Sequence, residues 1–116
     1  MRSQAEVRFA GYLDEMSLVW QYEPEKIDLG WATYIPDFYL PDHDHWIEVK
    51  GVWTPDSKKK YEEFSETYKV SLFRANKLRS KVGRPRTLDD ILAGNSQVHE
   101  IPVVERKRNP KTYFRD

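Results

Sequence analysis

The chain has 116 residues, with 19 Lys/Arg against 19 Asp/Glu and no cysteine. That length suits a single domain with one core, and the lack of cysteine excludes disulfides and thiolate chemistry. No stretch is apolar and long enough to span a membrane, and the start, MRSQAEVRF, lacks the apolar run of a signal peptide, so a soluble, cytoplasmic protein is expected. The neutral total hides a polarity. Residues 1–56 carry four Lys/Arg against eleven Asp/Glu, and residues 57–116 carry fifteen against eight. An acidic half beside a basic half suits a cation site next to a phosphate-binding surface, or two solvated faces of unlike charge.

Taken in chain order, Ser3-Gln4-Ala5-Glu6 has the form of a capping box opening a helix. Val7, Ala10, Leu13 and Met16 then recur at helical spacing. Leu18 to Tyr22 reads as a short strand, residues 23–30 as a polar connection, Trp31 to Leu40 as a second strand and Trp46 to Lys50 as a third. Pro41 to His45 turns between the last two. Thr54-Pro55-Asp56 opens a second helix, with Pro near its first position and Tyr61, Phe64 and Tyr68 on one face. Val70 to Ala75 is a fourth strand, and TLDDILAG is a short capped helix stopping at Gly94. Val98 to Val104 supplies a last strand, which Pro102 makes an edge or a broken one. The expected fold class is α/β (or α+β), a mixed central sheet flanked by helices, with one domain over residues 1–105 and a basic C-terminal tail over 106–116.

The informative stretch is YIPDFYLPDHDHWIEVKG, Tyr34 to Gly51. It places Asp37, Glu48 and Lys50 inside segments that otherwise read as buried strand, and charges are costly to bury without partners. Strand alternation puts Trp46, Glu48 and Lys50 on one face and Asp37 on the face of Ile35 and Tyr39. If the second and third strands pair through the turn, Asp37 stands beside Glu48. Two converging carboxylates suit a hard cation such as Mg²⁺, and a neighbouring lysine can orient a water and steady a phosphate oxygen, an arrangement suited to phosphodiester hydrolysis. The blander alternative is a hairpin with a surface ion pair. Asp42-His43-Asp44-His45 could offer zinc ligands, but alternating residues in a tight turn diverge, and a polar turn fits them better.

Pro36-Asp37, ten residues, then Glu48-Val49-Lys50 resembles the PD-(D/E)xK nuclease signature. The longer segment YIPDFYLPDHDHWIEVKGVWTPDSKKKYEEF is similar to the corresponding part of the phage endonuclease I (Holliday-junction resolvase) family, and the resemblance covers residues 3–92, most specifically Tyr34 to Lys60. It implies a restriction-endonuclease-like fold and an Mg²⁺-dependent DNA endonuclease, with Mn²⁺ as substitute, leaving a 5′-phosphate and a 3′-hydroxyl. It implies metal ligation by Asp37, Glu48 and the Val49 backbone carbonyl, a catalytic Lys50 near the attacking water, and Glu6 as an upstream acid helping to hold a second metal. Glu6 could instead serve only to complete the capping box with Ser3. The family also forms homodimers by strand exchange through the connection before the second strand; here that connection and the tail are shorter.

DNA contacts are expected from Lys58, Lys59 and Lys60, which follow the third strand directly, and from Arg74, Lys77, Arg79, Lys81, Arg84 and Arg86, six bases in thirteen residues without an acid. Gly83-Arg84-Pro85-Arg86 resembles a minor-groove arm. Besides a structure-selective nuclease acting on duplex, branched or junction DNA, two readings stand: a restriction-like, nicking or transposase-partner nuclease, and a non-catalytic DNA-binding module on a nuclease fold. The four tryptophans read as packing residues.

Overall fold

A computed structural model of the chain describes residues 1, 3–76, 81–94 and 101–105. Its elements are α1 (Gln4–Glu15), β1 (Gln21–Tyr22), β2 (Ile27–Asp28), β3 (Thr33–Tyr34), β4 (Phe38–Leu40), β5 (His45–Lys50), α2 (Pro55–Thr67), β6 (Val70–Asn76), β7 (Lys81–Val82) and α3 (Leu88–Ala93). The main sheet has the order β1-β4-β5-β6-β7, with β5–β6 parallel and the other pairs antiparallel. It is a mixed α/β domain, a mixed sheet flanked by helices, as the sequence led us to expect.

Several elements differ from expectation. Residues 31–40 do not form one strand. They divide into β3, which pairs with β2 in a separate two-stranded sheet, and β4, which enters the main sheet. The division falls at Ile35-Pro36. Proline offers no N–H to a ladder, and Pro36 is instead fully buried. The polar connection 23–30 therefore contains a strand, because Ile27 and Asp28 pair with Tyr34 and Thr33. The strand expected at residues 18–22 is only Gln21–Tyr22. The basic stretch from Arg74 includes a short hairpin arm, β7, paired with Ala75 and Asn76.

Helix α1 is capped by Ser3, whose hydroxyl accepts from the Glu6 N–H at 3.1 Å. Its buried stripe is Ala5, Glu6, Phe9, Ala10 and Leu13, while Val7 is half exposed. Ala10 and Leu13 are buried and Met16 packs against the core as the spacing predicts, so the expected stripe fails only at Val7, whose place is taken by Ala5, Glu6 and Phe9. Phe9 packs on Phe38 and Phe73, with centroids at 5.8 and 4.7 Å, and joins Leu40, Ile47 and Val49 in the core on that side of the sheet. The opposite face is covered by α2. There Thr54 and Ser57 form a reciprocal capping box with Pro55 beside them, and Tyr61 and Phe64 are buried. Tyr68 lies past the end of α2 and is substantially exposed, stacked on Phe64.

Residues 101–105 run beside Trp53. The Trp53 N–H donates to the Pro102 carbonyl at 2.8 Å, and the Val104 N–H to the Trp53 carbonyl at 2.7 Å. This is a broken edge, in which Pro102 accepts and needs no N–H. The rest of the expected last strand, residues 98–100, and the tail from Arg106 lie outside the described residues.

Two close fits test this architecture. Gly94 caps α3 at φ +62°, and a Cβ there would come within 2.9 Å of the Ser71 Cβ and 3.0 Å of the Leu72 N. Gly94→Ala should cost about 1–3 kcal/mol in urea unfolding, since a non-glycine residue is strained at that φ. His45 is buried, with Nε2 2.6 Å from the Ser71 Oγ. Ser71 donates to the Leu92 carbonyl at 2.8 Å. It therefore accepts from His45, which places a proton on Nε2. Burial first, then Lys69 and His43, lower the His45 pKa. A histidine whose folded pKa lies below its unfolded value of about 6.5 costs nothing above that pH and destabilises the fold as pH falls toward the folded value. Relative to His45→Asn, wild type should therefore lose unfolding free energy between pH 7 and pH 5, a difference that isolates the His45 contribution from those of other groups.

Candidate metal and phosphodiester site

The β4–β5 ladder ends at Phe38↔Ile47. One step further, the Asp37 carboxylate replaces the missing backbone acceptor: its Oδ2 accepts from the Val49 N–H at 2.7 Å. The Asp37 carbonyl accepts from the Glu23 N–H at 2.8 Å. The strands thus fork at Asp37, and a cleft of about 1410 Å³ opens there. Its lining includes Glu6, Glu23, Asp37, Glu48 and Lys50.

Glu48 projects from the middle of β5, 3% exposed. The Tyr34 hydroxyl donates to its Oε1, and its Oε2 lies 3.7 Å from the Lys50 Nζ. Glu6 rides the buried face of α1 to the same place. It does not close a capping box. Instead its Oε2 accepts from the Tyr22 hydroxyl at 2.8 Å. The sequence-expected set of Glu6, Asp37, Glu48 and Lys50 is therefore assembled by α1, the β4 end and β5 of a single chain.

Sequence reasoning passed over Glu23. Carboxylate oxygens of Glu6, Glu23 and Asp37 lie within 4.8 Å of one another. Glu23 follows β1, which pairs with β4 beside Asp37, and the backbone there turns at φ +44°. The available signal was an acid directly after an aromatic strand and before a proline.

Burial dominates the electrostatics. It pushes the Asp37 pKa well above the usual carboxylate range, and the Glu48 and Glu6 charges add to that push. Burial also raises Glu48, which Lys50 and the Tyr34 hydrogen bond partly offset. Tyr34 is raised well above its ordinary value by burial and then by Glu48, and Tyr61 is pushed up to about 12 for the same two reasons. Carboxylates this close, in so dry a place, repel one another when all are ionised. An oxygen-preferring divalent cation would relieve that repulsion, and the donor set here is carboxylate oxygen throughout, which fits such an ion.

The cationic residues divide. Lys60 lines the cleft. Lys59 sits over the Trp31 ring at 4.5 Å, and Lys58 is half-buried outside the cleft lining. Arg74 is exposed and in register with Lys50 on the adjacent strand. Arg84 pairs with Glu15 and lies over the Tyr12 ring at 5.5 Å. Glu15 lies nine positions along α1 from Glu6, about 14 Å at 1.5 Å per residue, so Arg84 is held away from the carboxylates. The Arg86 N–H donates to Asp90 at 3.0 Å. Lys81 opens β7, while Lys77 and Arg79 lie outside the described residues. In the Asp42–His45 turn, Asp44 accepts from the Tyr39 hydroxyl at 2.7 Å and His45 turns inward to Ser71, so these residues do not converge on a metal.

The raised Asp37 pKa has a measurable sign. A carboxyl whose folded pKa exceeds its unfolded value of about 3.9 contributes stability that is complete below that pH and is lost as pH rises through the folded value. In EDTA, the Asp37 contribution should therefore fall as pH rises from 5 to 8, so the stability of Asp37→Asn relative to wild type should rise across that range. Urea unfolding at several pH values checks this. A wild-type slope that survives Asp37→Asn unchanged would place the effect elsewhere.

No protein-family model matches this chain, and no curated protein matches it in sequence.

Proposed function

We propose that this protein is an Mg²⁺-dependent DNA endonuclease that hydrolyses phosphodiesters to a 5′-phosphate and a 3′-hydroxyl. In this reading it acts inside the cell on a restriction-endonuclease-like fold and resembles the phage endonuclease I resolvases in preferring branched over plain duplex DNA. The observation that carries the reading is the meeting of Asp37, Glu48 and Lys50 at the strand fork, with Glu6 beside them, in an open cleft.

In this mechanism Asp37 and Glu48, with Glu6 and Glu23 adjacent and the Val49 carbonyl as a further oxygen, hold the divalent cation. When bound, the ion supplies a water of lowered pKa and neutralises phosphate charge. The chain's own residues do the rest. Lys50 carries three N–H donors and stands next to Glu48, on the exposed end of β5. It orients the attacking water and offers positive charge to the phosphate oxygen as charge builds in the transition state. The Glu48 carboxylate, 3.7 Å away, holds the Lys50 ammonium in place. Lys60, on the cleft wall, takes a flanking backbone phosphate, a contact that positions DNA without reading its sequence.

The test is cleavage of plasmid and of a panel of duplex, four-way-junction, mismatched and single-stranded substrates with Mg²⁺, Mn²⁺ or EDTA. Asp37→Asn and Glu48→Gln should each abolish cleavage while DNA is still bound. Lys50→Met should lower turnover by about 100-fold or more at saturating metal, the scale of losing one transition-state donor. Binding without metal-dependent cutting would make the chain a non-catalytic DNA-binding module, and near-normal cutting by either carboxylate variant would refute the site.

A further inference from the structure

Three of the site's four acids, Glu6, Asp37 and Glu48, share one arrangement. Each accepts a hydrogen bond from the protein on one oxygen: Glu48 Oε1 from the Tyr34 hydroxyl, Glu6 Oε2 from the Tyr22 hydroxyl, and Asp37 Oδ2 from the Val49 N–H. The two phenols come from different places. Tyr22 ends β1 of the main sheet, whereas Tyr34 belongs to the small β2–β3 sheet, in register with Ile27. Tyr34 is 7% exposed, and its ring is gripped by Phe64 of α2 at a centroid distance of 5.0 Å. A phenol so fixed can hold a carboxylate in one rotation. With Oε1 engaged by Tyr34, Glu48 turns Oε2 toward Lys50, 3.7 Å away.

We propose that Tyr34, and independently Tyr22, are positioning residues that hold Glu48 and Glu6 in one-oxygen ligation and so bias the site toward a Mg²⁺-sized ion over Ca²⁺. The inference rests on the metal-site reading above. Its chemistry is general. Mg²⁺ demands a tight octahedron at about 2.0–2.1 Å and takes single carboxylate oxygens, whereas Ca²⁺ takes six to eight ligands at about 2.3–2.6 Å and favours two-oxygen carboxylates. A carboxylate with one oxygen already engaged by a rigid donor serves the first ion better than the second. Partners of metal ligands commonly set ligand orientation in this way.

The experiment is calorimetric titration of the full chain with MgCl₂ and, separately, CaCl₂, without DNA. Tyr34→Phe removes only the hydroxyl and keeps the ring against Phe64. Tyr68→Phe is the control, since Tyr68 stacks on the same Phe64 without contacting the acids. Thermal melts check that each variant folds. Tyr34→Phe should weaken Mg²⁺ binding by about tenfold or more, the usual scale for losing a ligand's partner, and Ca²⁺ binding by much less. The ratio of the two dissociation constants should narrow, while Tyr68→Phe leaves it unchanged. Tyr22→Phe should narrow it independently, which keeps the test decisive if Tyr34→Phe does not fold. Wild type that binds neither ion would refute the metal-site reading itself. Wild type that binds Mg²⁺, with the ratio unchanged in both phenylalanine variants, would overturn the positioning role alone.

Discussion

The Asp37 carboxylate standing in for a backbone acceptor at the Val49 N–H is the interaction on which the site depends. A ladder hydrogen bond would have kept β4 and β5 together, with no cleft between them. Pro36 stops the pairing because it has no N–H, and the residue after it reaches across with a side chain. The neighbouring strand keeps its donor satisfied while the sheet opens. Structural necessity and site chemistry therefore use the same residue. Asp37 ends the ladder with one oxygen and faces Glu6 and Glu23 with its carboxylate. Removing it would leave a buried N–H without its acceptor, a cost separate from any loss of metal binding. This is why an Asn, which can still accept from Val49, is the informative replacement.

The elements that were legible in the sequence are those whose signals are local. Ser3, Thr54 and Thr87 cap their helices as their spacing suggests, and the β5 run of apolar residues around Glu48 is a central strand buried on both faces. What was not legible depended on contacts between distant segments. The alternating pattern of residues 31–40 is compatible with one strand, and only the burial of Pro36 and the pairing of Tyr34 with Ile27 divide it. The first turn of α1 was misread because Val7 is apolar yet exposed, while Glu6 is charged yet buried. A binary pattern cannot reveal that a charged residue belongs to the inner face when its reason for being there is a tyrosine sixteen residues away.

The same limit explains the candidate site. Asp37, Glu48 and Lys50 are close in sequence and their spacing advertises them. The two phenols carry no such signal and Glu23 only a faint one, its place between an aromatic strand and Pro24, since an acid in a polar connection and a tyrosine in a strand are ordinary. They are brought in by β1 pairing with β4 and by the small β2–β3 sheet packing against α2. The basic residues show the opposite failure. Charge density nominated six of them between Arg74 and Arg86, and position after the third strand nominated Lys58 to Lys60, but Arg84 is paired with Glu15, and Lys59 lies on Trp31. Lys60, on the cleft wall, has the most direct approach to a phosphate at the fork.

Completeness within one chain has a consequence for how the site could be used. Glu6 reaches the fork because α1 packs its Phe9 stripe on the same sheet that carries Asp37 and Glu48. Its position is therefore coupled to the core, and α1 cannot leave without exposing Phe9 and Leu13, both fully buried. A fully buried Phe or Leu truncated to Ala typically costs about 2–5 kcal/mol, a large part of a small domain's stability. Exchange of α1 between two chains would preserve these contacts only if the partner's helix took the same seat, so a monomer already satisfies every carboxylate that the fork brings together. Joining two chains would then add nothing to the set of acids at either fork.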